Sequence, residues 1–136
     1  MDDITAFFTN DHFAAGCGVE LVSAAPGHAI ARMQVETRHH NAIGTAQGGA
    51  IFTLADFAFA VASNSHGTVA LAANVSITYM KTVRAGLLTA EAKEISTNPR
   101  LGSYTVTVTD ETGDVVALFQ GLAYRKKDAL PLRATS

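Results

Sequence analysis

The sequence predicts an α+β fold in which a curved antiparallel β-sheet wraps around one long central apolar helix, and three observations carry that reading. One stretch, residues 50–62, is apolar on nearly every side and holds neither proline nor glycine, so its length and alanine content favour helix over strand. A helix that is apolar all round must be enclosed on most of its circumference. Much of the remaining chain alternates with a period of two between turn signals, the pattern of strands with one buried face. Charged residues reach only 16% of the 136, against roughly 25% in an ordinary soluble domain. A domain this small needs more charge to cover its exterior, so an oligomer is expected.

In chain order, Ile4, Phe7, Phe8 and Phe13 recur at roughly helical spacing and Gly16 and Gly18 supply a stop, which predicts one short lid helix over 4–15. Strands at 19–23 and 27–36 flank Pro26 and Gly27. In the second, Ala29, Ala31, Met33 and Val35 alternate with Ile30, Arg32, Gln34 and Glu36, a hairpin with one buried face. The long helix follows. Beyond Gly67, Val69, Leu71, Ala73, Val75, Ile77 and Tyr79 alternate with the residues between them and predict a long strand. Turn signals at 85–86, 97–100 and 111–114 then separate β-like runs at 87–96, 101–110 and 115–125. Because the connections are short, neighbouring strands are expected to pair antiparallel. The tail at 126–136 has charges, Pro131 and no periodicity, and is expected to be irregular. Residues 1–136 therefore form a single domain ordered α-β-β-α-β-β-β-β.

Several functions are set aside by composition and spacing. Ten basic against twelve acidic residues give a net charge of −2, without the positive field that holds nucleic acid. The most apolar stretch, 50–62, is 13 residues long and contains Asp56, too short and too polar for a membrane span. The acidic start at Asp2 and Asp3 and the single Cys17 lead to the expectation of a reducing cytoplasm. Cys17 reads as a small buried thiol rather than a nucleophile. His39 and His40 are adjacent, and His12, His28 and His66 are scattered, so no metal site is expected. Residues 44–49 lack the lysine of a P-loop and the spacing of a dinucleotide fingerprint, no G-x-S-x-G occurs, and no cofactor is expected.

Asp56 is the anomaly. Its helical neighbours are Phe52, Thr53, Phe59 and Ala60, and a carboxylate buried without partners is costly. Thr53, Asp56, Ala60, Ser63 and Asn64 form a narrow stripe of small and polar groups along an otherwise apolar cylinder. Such a stripe lines a ligand cleft, forms a polar seam between subunits, or faces water through a gap in the sheet. Gly48 and Gly49 open the same helix, where unpaired N–H groups and the positive dipole end can receive a carbonyl oxygen as it becomes negative. Asn41, Gly44 and Gln47 precede them, two of these being amide side chains that hydrogen-bond without titrating. Eight residues separate Gly48 from Asp56, about 12 Å of helix at ~1.5 Å per residue. An oxyanion donor and an attacking group must each lie roughly 3 Å from the reacting centre. One helix cannot supply both, so if the two act on one substrate they come from two chains related by a two-fold axis.

The pattern Asn41-x2-Gly44-x3-Gly48-Gly49-x4-Leu54-Ala55-Asp56, followed by residues 62–65, 75–81 and 116–121, resembles the PaaI-type acyl-CoA thioesterases of the hotdog superfamily. The resemblance covers residues from about 13 to 127. It implies a CoA thioester as substrate, with Asp56 activating or delivering the nucleophile, the Gly48 amide polarising the thioester carbonyl, and Asn41 placing the reacting groups, while Gln47 at the next site position keeps hydrogen-bond donation. It further implies a site shared across a homodimer, commonly doubled into a tetramer, and a best-known branch acting on phenylacetyl-CoA and its ring-hydroxylated derivatives. Gly49, Thr53, Phe59 and Asn64 become candidates for the acyl pocket, and Tyr79, Lys81, Arg84 and Arg100 for CoA, with the three cations read as sitting at the ends of adjacent strands. Two positions depart from the pattern. Gln47 stands where the family commonly has His and cannot shuttle a proton near neutrality, and Thr82 replaces a proline after Lys81. Two alternatives use the same fold: an acyl-CoA dehydratase or hydratase, whose His-plus-acid arrangement is not apparent around this helix, and a noncatalytic acyl-CoA-binding module.

Overall fold

A computed structural model describes residues 2–132. Its elements are α1 (Asp2–Phe8), α2 (His12–Gly16), β1 (Val19–Ala25), β2 (His28–Val35), α3 (Gly48–Asn64), β3 (Thr68–Tyr79), β4 (Gly86–Thr97), β5 (Leu101–Thr109) and β6 (Val115–Ala129), with a short 3-10 turn at Thr37–His39. The six strands form one antiparallel sheet in the order β1-β2-β4-β5-β6-β3, and α3 touches all six. The expected hotdog arrangement of curved sheet around central helix is therefore the fold.

Facing residues fall into register across the sheet. Ala29, Ala31 and Met33 of β2 pair with Ala92, Ala90 and Leu88 of β4, and these in turn neighbour Val106 and Val108 of β5. All eight are fully buried. On one side small alanines let the helix backbone approach closely; on the other, Phe59 packs at ring-centroid distances of 5.6 Å from both Tyr104 and Phe119. Leu54, Ala55, Ala58, Val61 and Ala62 of α3 have no exposed surface, which explains why nearly the whole circumference of this helix is apolar.

The structure corrects four expectations. The N-terminal segment is two helices, because residues 9–11 form a turn in which Asp11 becomes the cap of α2 and accepts the Ala14 N–H at 3.0 Å. Thr, Asn and Asp compete for backbone groups in this way and break helices. Strands adjacent in sequence do not all pair: β3 lies beside β6 at the sheet edge, three strand positions from β4. Six intervening residues, 80–85, span up to about 20 Å, enough to cross the roughly 14 Å of three strand spacings. The alternation of β3 is broken by irregularities near its start and between Ala72 and Asn74, so Ala70 is buried while Leu71 is exposed. Finally, β6 continues through Lys126, Lys127 and Asp128 to Ala129, which pairs with Thr68. That end of the strand is solvated on both faces, so no alternation marks it. The remainder of the expected tail, 133–136, lies outside the described residues.

Candidate active site

The loop before α3 is built by its own side chains. Asn41 Oδ1 accepts the N–H groups of Ile43 and Thr45, each at 3.1 Å, and Asn41 Nδ2 donates to Thr45 Oγ1 at 2.9 Å. Gly44 closes this turn with φ of +80°, a conformation that side chains disfavour. Neighbouring segments then hold the loop in place. Ala46 N–H donates to Val83 C=O and Gln47 N–H to His39 C=O, both at 2.7 Å, and His40 Nε2 donates to Arg84 C=O at 2.7 Å. His39 is buried, accepts the Glu36 N–H at Nδ1 and donates from Nε2 to Cys17 C=O, tying the loop to the end of α2.

This framework presents the start of α3. Among the described residues, the N–H groups of Gly48 and Gly49 have no acceptor, and the Gln47 side chain makes no capping bond. Gly49 and Gln47 are exposed. These are free donors at the positive end of a 17-residue helix. Tyr79 backs them: its hydroxyl donates to Gly48 C=O at 2.8 Å, and a Cβ at position 48 would lie 3.1 Å from its ring.

Two turns along α3, Asp56 lines a cleft of about 270 Å³ with Asp11, Phe13, Ala14, Phe52, Thr53 and Phe57. Among the described residues its carboxylate has no hydrogen-bond or ion-pair partner, while Thr53 Oγ1 is turned back to Gly49 C=O at 2.7 Å. Burial raises the pKa of Asp56, and the negative charge of Asp11 raises it further. The arrangement combines unpaired donors for a developing oxyanion with a carboxylate made more basic by its surroundings.

Of the residues expected at the site, the structure gathers Asn41, Gly44, Gln47, Gly48, Gly49, Tyr79 and Arg84 at one end of α3 and places Thr53 and Asp56 on its open stripe. Others fall elsewhere. Phe59 is core, pressed on the backbone at Gly121. Asn64 is buried at the far end of α3, where its amide donates to Ala60 C=O and Ala70 C=O and accepts from Ala70 N–H, so it clamps helix to β3 rather than facing an acyl group. Lys81 Nζ is held by Asp110 and Asp114. Arg84 leans over Ile43 and Gly44. Arg100 sits in the β4–β5 turn, at the opposite end of β4 from Arg84, so the expected trio of cations is not assembled within one chain. Asp11 escaped the sequence reading; its place before a short helix was the available signal, but only packing puts it beside Asp56. Among the described residues no group of three His, Cys, Asp or Glu side chains is placed to hold a metal, and no helix is long and apolar enough to cross a membrane.

A curved antiparallel sheet wrapped around one central helix is the hotdog fold, and free amides at one end of that helix with an acid in its middle suit an enzyme of the thioester-cleaving class. The comparisons agree. The model of the thioesterase superfamily matches residues 43–117. The chain is 40% identical over 125 residues to a putative esterase of Archaeoglobus fulgidus, covering 91% of this chain and 81% of the relative. It is 34% identical over 121 residues to the acyl-coenzyme A thioesterase PaaI of Escherichia coli, covering 88% and 86%. The solved structure of the E. coli PaaI protein superposes with a TM-score of 0.90 at 32% identity over 94% of both chains. The TT0310 protein of Thermus thermophilus gives 0.82 at 38% identity, over 86% of this chain and 99% of that one. The chain belongs to the thioesterase superfamily, as a thioester hydrolase of the PaaI type.

Proposed function

We propose that this protein hydrolyses acyl-CoA thioesters to a free acid and CoA-SH at sites completed across a homodimer. The observation that carries this is the placement of unpaired Gly48 and Gly49 amides and an unpartnered Asp56 on one continuous helix, about 12 Å apart at ~1.5 Å per residue. The helix start of one subunit then faces the partner subunit's Asp56, giving two equivalent sites. Among the described residues strand β3 is an unpaired edge of the sheet and ends at Tyr79, against the start of α3, which favours pairing with a second copy there. Leu71, Tyr124 and Leu101 form an exposed apolar row across β3, β6 and β5, which favours a second contact and a dimer of dimers.

In the reaction, the thioester carbonyl oxygen accepts hydrogen bonds from the Gly48 and Gly49 N–H groups, and the dipole of α3 stabilises the negative charge it gains. Asp56 either takes a proton from the attacking water or attacks the carbonyl carbon itself. In the first route water's oxygen bonds to the carbonyl carbon, the C–S bond breaks, and the proton taken up by Asp56 passes to the departing thiolate; in the second, C–S cleavage leaves an anhydride between the acyl group and Asp56, and water cleaves it to the free acid, restoring the carboxylate and supplying the proton for the thiolate. Asn41 shapes the loop, and Gln47 offers an amide beside the carbonyl without titrating. Arg84, which leans over Ile43 and Gly44, is our choice of cation to meet the nucleotide phosphates from this end; Lys81 is already paired with two carboxylates, and Arg100 contributes only from another subunit. An arylacetyl-CoA such as phenylacetyl-CoA is the favoured substrate, on the strength of the E. coli relative, whose solved structure is described as from the phenylacetic acid degradation operon. The free thiol of Cys17 suits the cytoplasm.

The test is thiol release from short-chain, long-chain and arylacetyl-CoA by the wild type and Asp56→Ala. Release by the wild type with near-complete loss in a folded variant is expected. Binding of CoA esters without release would indicate the binding module, and turnover of enoyl-CoA to the hydroxyacyl ester would indicate the hydratase.

A further inference from the structure

Two peptide units at the start of α3 have an N–H without an acceptor among the described residues, and in each the carbonyl oxygen takes a bond beyond the i+4 bond of a helix. In the first, between Gln47 and Gly48, the oxygen accepts Ala50 N–H at 2.9 Å as well as Ile51 N–H at 3.2 Å, both donors of the helix itself. The second, between Gly48 and Gly49, draws its added donor from another element. Tyr79, the last residue of β3, donates its hydroxyl to that oxygen at 2.8 Å, and a carbonyl has a second lone pair to receive it. The following peptide shows the contrast. Thr53 Oγ1 donates to Gly49 C=O at 2.7 Å, but the Ala50 N–H on that plane is already bonded to Gln47 C=O. Of these three peptides, only the one between Gly48 and Gly49 joins a side-chain donor at its oxygen to an open N–H at its nitrogen.

The phenol is held in place from several sides. A Cβ at position 48 would lie 3.1 Å from Tyr79 Cζ and from its hydroxyl, so the ring rests on the glycine. Tyr79 pairs with Ala117 of β6, the N–H groups of Met80 and Lys81 both donate to Val116 C=O, and Lys81 Nζ is tied to Asp110 and Asp114. Burial pushes the phenol above its ordinary range, which leaves it a protonated donor at neutral pH.

We infer that Tyr79 is a positioning residue of the proposed thioesterase site: by bonding the Gly48 carbonyl it fixes the plane of the Gly48–Gly49 peptide and draws charge toward that oxygen, which makes the Gly49 N–H a stronger donor to the substrate carbonyl. The inference rests on the thioesterase reading and adds what sets the strength of one oxyanion donor. The C=O and N–H of a trans peptide point to opposite sides, so the phenol acts from behind and touches no reacting atom. Linked hydrogen bonds polarise one another by about 10–30% per bond. The gain is larger when the acceptor is charged, so it grows as the thioester oxygen becomes negative and lowers the barrier without tightening ground-state binding. The quantity that responds is kcat.

The experiment measures kcat and KM by thiol release, together with Tm, for the wild type and Tyr79→Phe on whichever of acetyl-CoA, octanoyl-CoA and phenylacetyl-CoA the wild type turns over fastest. Phenylalanine keeps the ring on Gly48 and removes only the donor. A fall in kcat of about threefold to tenfold, the usual effect of one hydrogen bond, is expected with KM changed by less than about twofold. Tm should stay within a few degrees. A second series leaves every contact of the hydroxyl in place: mono- and difluorotyrosine at position 79, fluorinated beside the hydroxyl, make the phenol a stepwise stronger acid. Tyr79 is half-exposed, which leaves room for the fluorine. Assayed where all three phenols are protonated, kcat should rise along the series, a trend that a hydroxyl holding only the fold does not produce. A higher KM at unchanged kcat in Tyr79→Phe would make the ring a CoA contact and overturns the inference, as does an unchanged kcat there or a flat kcat across the fluorinated series. In each of those cases the thioesterase reading stands. Absence of thiol release from every ester by the wild type overturns that reading and the inference with it.

Discussion

Replacing Gly48 by alanine separates a catalytic helix start from one that merely begins a helix. The added Cβ lies 3.1 Å from Tyr79 Cζ and from its hydroxyl, whereas carbon atoms prefer about 3.5–4.0 Å. The ring must therefore retreat by about 0.5 Å, and its 2.8 Å hydrogen bond to Gly48 C=O is stretched. Losing that bond costs about 1 kcal/mol, and alanine offsets up to about 1 kcal/mol through its helix propensity. Tyr79 is 48% exposed and has solvent to move into. Stability is expected to change by less than about 1 kcal/mol, a few degrees in Tm for a domain of this size. Activity obeys a stricter rule, because catalytic donors must hold position to within about 0.5 Å, and removing one oxyanion donor typically costs about 10²–10³ in kcat. The expected result is a fall in kcat of at least about tenfold with little change in Tm. Thiol release measured beside thermal melting reads both quantities. Adding Tyr79→Ala should restore part of the rate if the ring clash had displaced the helix start. Full kcat in Gly48→Ala alone would refute the role assigned to this amide.

Three further outcomes follow from the same geometry. Asp11 raises the pKa of Asp56 through its charge, so Asp11→Asn should lower it and move the acidic limb of the kcat/KM profile to lower pH; a limb that stays put or rises contradicts the coupling. Because folding raises the pKa of Asp56, its ionised form is penalised in the folded state, and that penalty disappears once pH falls below the ordinary carboxylate range. Asp56→Asn should therefore melt higher than wild type at neutral pH, with the gain shrinking toward acid; melts across pH would show an equal or negative difference if the carboxylate were well solvated. At Gly121 a Cβ would stand 2.6–2.8 Å from three atoms of the buried Phe59 ring, so Gly121→Ala should lose about 1–3 kcal/mol through overpacking. Phe59→Leu in the same chain should recover part of that loss, and an unchanged melting temperature in the single variant would count against so tight a contact.

The central helix, the six strands and the acid at position 56 were legible without coordinates, for one reason. An apolar helix of this length has to be wrapped, period-two runs are what can wrap it, and a carboxylate amid Phe52, Phe59 and Ala60 has to be exceptional. The length of helix between Gly48 and Asp56 also follows from residue number alone, since rise per residue is a constant of the backbone. What the sequence could not carry were the relations that depend on where distant segments meet. Asp11 lies far from Asp56 in the chain and acquires its influence only because α2 packs against α3. Asn64 looked like part of a polar stripe until β3 arrived to occupy its amide, and Lys81 looked like a phosphate ligand until the β5–β6 hairpin brought Asp110 and Asp114 to it. Local periodicity records which face of an element is buried; the partner of a polar atom on that element is chosen by chain crossing and sheet order, and those are decided only when the whole domain closes.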